Sequence, residues 1–399
     1  MQKVTPGDLP PGIPAPAGNR PSCQEPHAGK LRTDLVLAGH RLRLVSSDPG
    51  ILANATSVMV PPCLQDQTGS EAPGWSVEVE MGSSSPAGHD EHDGLPVVSW
   101  PQSGRRLVVR RSDDGVVAVT GVYRHGAAAV FIDADARARR TRVLLPPGDP
   151  LSMRWPDWLA RSFFGARLLS DGWVLLHASA VRVATPLGDR AVIVLAGSHG
   201  GKSTLAYRAC RELGAAHMAD DLILARGRPD GVEVTGWPTR AGVPVEVLDP
   251  GLLDSLPGGL ISHGTAAGRP RSRVTLRPPE YQRLLGIGRA GPALLGGIIC
   301  LSPAPGSPAA ANGMPPGMAG QAIAAASRIP VQRATMTDLL GLTGVPPAPV
   351  SGPDAGGRGL LPVDGIPAVA IGIPDMSLLP GFPVWDLIGG QIPGLEAIR

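Results

Sequence analysis

The stretch AVIVLAGSHGGKST, residues 191–204, decides how this chain is read. An apolar run from Ala191 to Ala196 leads into Gly197, Ser198, His199, Gly200 and Gly201, and then into Lys202, Ser203 and Thr204 at the head of an amphipathic segment. The run predicts a buried strand, and Lys202 to Leu213, closed by Gly214, predicts a helix. A glycine-rich turn between a strand and a helix gathers backbone N–H groups around an anion, and the helix N-terminus adds about half a positive charge. In such a phosphate loop the lysine reaches the outer phosphates and the hydroxyl that follows can ligate Mg²⁺, the places held here by Lys202 and Ser203. Two departures stand out. Counting back from Lys202 the pattern asks for glycine where Ala196 stands, and His199 lies inside the loop.

Composition sharpens the significance of Lys202. The 399 residues contain 33 Arg but only three Lys (Lys3, Lys30 and Lys202), so the one lysine after residue 30 calls for a chemical explanation. With 36 basic and 34 acidic residues the formal charge is +2, which argues against nucleic acid or an anionic membrane as partner. No run of 18 apolar residues and no secretory h-region occur, and Cys23, Cys63, Cys210 and Cys300 form no CxxC pair. These features predict a cytoplasmic, reduced protein. Gly (53) and Pro (44) make up about a quarter of the chain against 14 aromatic residues, which excludes a helical bundle and predicts many turns.

Moving outward, residues 1–30 are read as a disordered leader. Residues 31–150 predict a small, mostly antiparallel β domain. Its strands lie at Asp34 to Arg43, Trp75 to Met81, Leu107 to Val109, Val116 to Val122, Ala128 to Ile132 and Arg142 to Leu145, with a loop insertion over 65–96. Residues 151–399 predict an α/β domain: a helix over Trp155 to Leu169, then strands at Trp173 to Val181, Ala191 to Ala196 and Leu222 to Ala225. Further strands are expected at Val232 to Val234, Pro244 to Leu248 and Arg273 to Leu276, and a helix at Pro279 to Leu285. The low-complexity stretches 303–320 and 344–357 are expected to be loops.

Asp220 and Asp221 follow Lys202 by 18 and 19 residues. A helix from Lys202 to Leu213 rises about 18 Å, and an extended return from Gly214 spans up to about 23 Å, so both carboxylates can come back to the phosphate end. One could hold Mg²⁺ while the other accepts the proton of an attacking hydroxyl. The short interval disfavours transporter-type and motor-type ATPases, whose acidic strand lies further along. The absence of NKxD disfavours a small GTPase, and the absence of GxSxG a serine hydrolase.

These residues resemble the HPr kinase/phosphorylase family, which carries a histidine on the strand before its phosphate-loop strand, then a GxSGxGKS loop, then an ADD acidic pair. The matching pieces are His177 in LLHASAV, Ser198 to Ser203, and Ala219, Asp220 and Asp221. The resemblance spans about residues 172–290. It implies a P-loop kinase core of the HPr kinase/phosphoenolpyruvate carboxykinase type, with a mixed sheet, acting with ATP and Mg²⁺. It also implies that His177 lies beside the reacting phosphate, that Lys202 contacts the β- and γ-phosphates, that Ser203 binds Mg²⁺ with support from Asp220, and that Asp221 is the general base towards a serine hydroxyl. Glu246 in PVEVLD falls at the family's Mg²⁺-ligating glutamate, and Arg283 in EYQRLLG at its catalytic arginine. The family's RG after that glutamate is replaced by Val247 and Leu248, followed by Asp249, and the flanking regions do not match.

The expected activity is therefore transfer of the γ-phosphoryl group to a serine of a protein or precursor peptide. The alternatives are a nucleotide-binding regulatory or scaffold protein without transfer, and a small-molecule kinase; homo-oligomerisation stays open. His89, Asp90, Glu91, His92 and Asp93 are read as a solvated polar loop rather than a metal site.

Overall fold

Alternation of apolar and polar residues builds the first of two large sheets. The computed structural model describes residues 29–66, 71–82, 96–100, 105–111, 116–122, 128–149, 152–256, 260–266, 269–327 and 361–395. The chain divides into Met1–Lys30 and Leu31–Arg399, and the described strands and helices all lie in the second unit. Its first strands are β1 (Leu31–Leu37), β2 (His40–Ser46), β3 (Leu64–Asp66) and β4 (Trp75–Met81). β5 (Pro96–Trp100), β6 (Arg105–Arg111), β7 (Val116–Val122), β8 (Val130–Asp135) and β9 (Arg140–Leu145) complete the sheet. The order is β3-β1-β2-β4-β9-β8-β7-β6-β5, antiparallel except where β4 runs parallel to both β2 and β9.

Two helices cover this sheet. Helix α1 (Pro49–Met59) starts at Asp48, whose carboxylate caps Gly50 N at 2.7 Å. Its Asn, Thr, Ser and Val residues are poor helix formers, so burial of Ile51, Ala55 and Met59 stabilises it, and sequence pattern alone gave no sign of it. Helix α2 (Trp155–Ser170) buries Leu159, Phe163, Phe164 and Leu168 in the same cluster as Leu42, Trp75 and Val77. Each such side chain contributes about 1.5–3 kcal/mol on leaving water.

Strand β4 corrects the expected insertion over 65–96. Trp75, Val77 and Val79 are buried at the centre of the sheet, and only 67–70 and 83–95 within that span lie outside the described residues. The strand expected at Trp75 to Met81 is present, and it lies inside the span read as an insertion.

The second sheet carries the 191–204 stretch. β10 (Val174–Leu176) and β11 (Ser179–Val183) replace the single strand expected over Trp173 to Val181, with His177 and Ala178 at the break. β12 (Arg190–Leu195) leads through the glycine loop into α3 (Lys202–Glu212), followed by β13 (Ala216–Ala219), β14 (Ile223–Arg228) and β15 (Gly231–Gly236). β16 (Ala241–Pro244) ends in a short 3₁₀ turn at Val245–Val247, correcting the strand expected over Pro244 to Leu248; Pro244 has no N–H with which to continue a ladder. Helix α4 (Pro250–Ser255), β17 (Ile261–Ala266), β18 (Arg269–Leu276) and α5 (Pro278–Leu285) come next. β16, β18 and β17 form a small antiparallel sheet.

The span 303–320, expected to be a loop, instead contains ordered elements. β19 (Ala293–Pro303) runs into it, β20 (Ala310–Gly313) lies inside it, and α6 (Pro316–Ala326) begins there. Small residues hid the pattern, since Ala and Gly carry almost no apolar periodicity. Stretch 344–357 lies outside the described residues, as do residues 1–28 of the leader and the segment His89 to Asp93.

β21 (Ala368–Ile373) completes a parallel trio, β12-β19-β21, within the otherwise mixed order β10-β14-β15-β19-β12-β11-β13. β12 is buried on both faces from Ala191 to Leu195, as the centre of an α/β sheet requires. Beyond β21, a 3₁₀ turn at Met376–Gly381 and α7 (Val384–Ile388) pack Leu379, Val384 and Ile388 in one cluster with Leu205 of α3. No helix among the described residues is long and apolar enough to cross a membrane, and Cys63, Cys210 and Cys300 are free thiols.

Arginines join the first sheet's helices to the second half. Arg289 donates to Val58 O (2.9 Å) and Trp237 O (3.2 Å), and buried Asp157 of α2 faces Arg161 (3.2 Å) and Arg240 (3.4 Å). A tight passage lies near the acidic doublet, where a Cβ on Gly236 would sit 2.2 Å from the Met218 carbonyl oxygen. Gly236→Ala is therefore expected to destabilise the fold by about 1–3 kcal/mol, read from the urea midpoint at unchanged m-value. A midpoint equal to that of the wild type would contradict the packing.

Candidate active site

Three parallel strands point their C-terminal ends the same way, and the glycine loop sits at the end of β12, where open α/β sheets hold ligands. The loop is tight. Gly200 N bonds Gly197 O at 3.0 Å, and a Cβ on Gly200 would meet the Ala196 methyl at 2.7 Å. Alanine at 196 thus makes glycine obligatory at 200. His199 (φ 60°) and Gly201 (φ 82°) are both left-handed, and a Cβ on Gly201 would collide with Leu379.

Lys202 opens α3 and is buried, its Nζ donating to Ala196 O and Gly197 O, each at 3.2 Å. The ammonium therefore lies across the loop that carries it. Ser203 and Thr204 occupy the next two helical positions, both buried.

The acidic doublet returns to this end of α3. Ser203 Oγ donates to the backbone oxygen of Asp220 at 3.3 Å, and Ser179 Oγ of β11 donates to the same oxygen at 2.5 Å. The Asp220 carboxylate is buried and accepts from Gly242 N of β16 at 2.8 Å. Burial first, then the neighbouring Asp221, raises its pKa to about 6. The Gly242 N–H, Arg273 and Arg289 pull the other way. Asp221 is more open, 42% exposed, with Oδ1 3.2 Å from His177 Nε2. His177 is placed by the break between β10 and β11, its own N–H bonded to Ala326 O.

Two expected residues stand apart. Glu246 is exposed and lines a groove of about 550 Å³ with Tyr207, Arg211 and Leu252, along the C-terminal half of α3, and no hydrogen bond or ion pair joins it to Ser203 or Asp220. The 3₁₀ turn after Pro244 carries it there. Arg283 is exposed on α5, whose inward face presents Tyr281 to the ring of His217 at 4.9 Å. Arg273 was missed: one more arginine in an arginine-rich chain gave no signal, yet β18 brings it to Asp220.

Among the described residues no group of three or more His, Cys, Asp or Glu could hold a metal ion. The corner fits a lightly ligated, oxygen-bound cation such as Mg²⁺, which keeps its waters and takes phosphate oxygens. It offers the Ser203 hydroxyl, bonded to the backbone oxygen of Asp220, and the carboxylate of that same residue, whose pKa is raised first by burial and then by Asp221.

The Asp220 shift has a definite sign. A carboxyl held near 6 in the folded state and 3.8 unfolded favours folding below pH 3.8 and loses that contribution as pH rises through about 6. Asp220→Asn is expected to raise Tm at pH 7.5, equivalent to about 1–3 kcal/mol, with the gap closing between pH 6 and 4. A gap independent of pH would contradict this. No known protein-family model matches the chain, and no curated protein matches it.

Proposed function

We propose that the chain is an ATP- and Mg²⁺-dependent kinase with a P-loop core, transferring the γ-phosphoryl group to a serine hydroxyl of a protein or peptide. The observation that carries this reading is the joining of Ser203 to the Asp220 backbone, which sets the acidic doublet beside Lys202 and the glycine loop. A phosphate cradle alone supports nucleotide binding. A carboxylate at its mouth supports transfer.

The residues divide the work. The loop N–H groups other than that of Gly200, which Gly197 O holds, and the head of α3 favour the phosphate anions, and Lys202 would exchange two neutral carbonyl partners for charged phosphate oxygens. Bound Mg²⁺, held by Ser203 and Asp220, would supply charge neutralisation at the β- and γ-phosphates. Asp221 accepts the proton as the serine oxygen bonds to phosphorus and the bond to the departing ADP oxygen breaks. His177, 3.2 Å away, orients that carboxylate, and both side chains are open to an incoming acceptor.

The test is transfer of labelled phosphate from ATP to serine-bearing peptides and proteins, with nucleotide binding measured in parallel. Lys202→Ala should weaken Mg·ATP binding at least about 100-fold. Asp221→Asn should cut transfer by about 10²–10⁴ while leaving the Kd for ATP within about threefold. Full transfer by either variant would refute the reading. Tight Mg·ATP binding by the wild type without turnover on any acceptor would instead assign a nucleotide-binding scaffold.

A further inference from the structure

Gly242 is a meeting point of two charged groups from different sheets. A Cβ placed on it would lie 3.2 Å from Asp220 Oδ2 and 3.5 Å from Arg273 Nη1. The carboxylate comes from the end of β13, the guanidinium from β18. The pairing of Gly242 with Thr275 and of Pro244 with Arg273 puts Arg273 on the same face of the small sheet as Gly242. Lack of a side chain at 242 is what lets the two converge. Arg273 is half-buried, whereas Asp220 beneath it is buried. The other arginine acting on Asp220, Arg289, has its two terminal nitrogens donating to Val58 O and Trp237 O.

We propose that Arg273 is the catalytic arginine of the phosphoryl-transfer site, its guanidinium contacting the γ-phosphoryl oxygens from the Asp220 side. This rests on the kinase reading and deepens it. As the serine oxygen–phosphorus bond forms, the phosphorus–oxygen bond to ADP breaks, its electron pair leaves on ADP, and the proton goes to Asp221. Negative charge is spread over the phosphoryl oxygens at that moment. A permanently charged planar fork can bond two of those oxygens together, which a carboxylate-lined corner otherwise lacks. An arginine in this role is worth about 10³–10⁵ in rate. Arg283 is exposed on α5, whereas Arg273 is half-buried.

The experiment needs no knowledge of the acceptor. Mg·ADP binding is measured with and without aluminium fluoride, which mimics the transferring phosphoryl group, for the wild type, Arg273→Ala, Arg273→Lys and the hairpin variant Arg228→Ala. All four should bind ADP within about threefold of one another. The affinity gained on adding fluoroaluminate should fall at least about 100-fold in Arg273→Ala, recover in part in Arg273→Lys, and stay unchanged in Arg228→Ala. A gain retained within threefold in Arg273→Ala overturns this assignment and leaves the kinase reading intact. A wild type that binds no ADP, or gains nothing from fluoroaluminate, overturns both. Should Arg273→Ala fail to fold, Arg273→Lys keeps a cation beside Asp220 and decides the matter: an undiminished gain there refutes the need for a guanidinium.

Discussion

One backbone oxygen holds the site together. The carbonyl of Asp220 accepts hydroxyls from Ser179 and Ser203, while the carboxylate of the same residue accepts Gly242 N. Strands β11, β13 and β16 and the first turn of α3 are thereby fixed to a single residue. A buried carbonyl with two donors and a buried carboxylate with a backbone donor satisfy the rule that enclosed polar atoms be bonded. The remaining electrostatic strain is confined to the carboxylate's charge, and the proposed chemistry would use that charge.

Legibility in the sequence followed side-chain size. The alternation of Val, Leu and Trp disclosed β4, β7 and β12, and a Gly-rich turn ahead of Lys202 placed the start of α3 correctly. Chain-length arithmetic correctly allowed Asp220 and Asp221 to return, because a helix and an extended strand have fixed rises. What escaped were elements built from small or indifferent residues. Helix α1 and the span from β20 into α6 lack periodicity, and their order comes from partners distant in sequence. Glu246 and Arg283 were placed through resemblance, and Pro244 turns the chain so that Glu246 faces the groove. Ser179 and Arg273 carry no local signal at all, since only tertiary pairing gives them meaning.

The bias towards arginine has a physical counterpart. Arg289, Arg240 and Arg277 each reach partners across element boundaries, Arg289 to Val58 and Trp237, Arg240 to Asp157 and Arg277 to Asn54. A rigid fork with several donors suits such bridging. The ammonium of Lys202, compact and rotatable, instead bonds two carbonyls of its own loop, contacts that the proposed phosphate binding would exchange. Buried His217, held neutral with its pKa lowered to about 3 by burial and then Arg289, adds an opposing pH limit: its contribution is present above pH 6.5 and lost on acidification.

The parallel trio of strands has a consequence for biosynthesis. Strands β1 to β9 with α1 and α2 come from consecutive sequence, so most of the first cluster can assemble while the chain is still emerging from the ribosome. β12 and α3 must wait, because β21, Leu379 and Val384, which complete their cluster, are translated far downstream. A nascent chain halted before residue 368 would expose the flank of β19 and one side of α3, an adhesive surface that chaperones would have to shield until synthesis resumed.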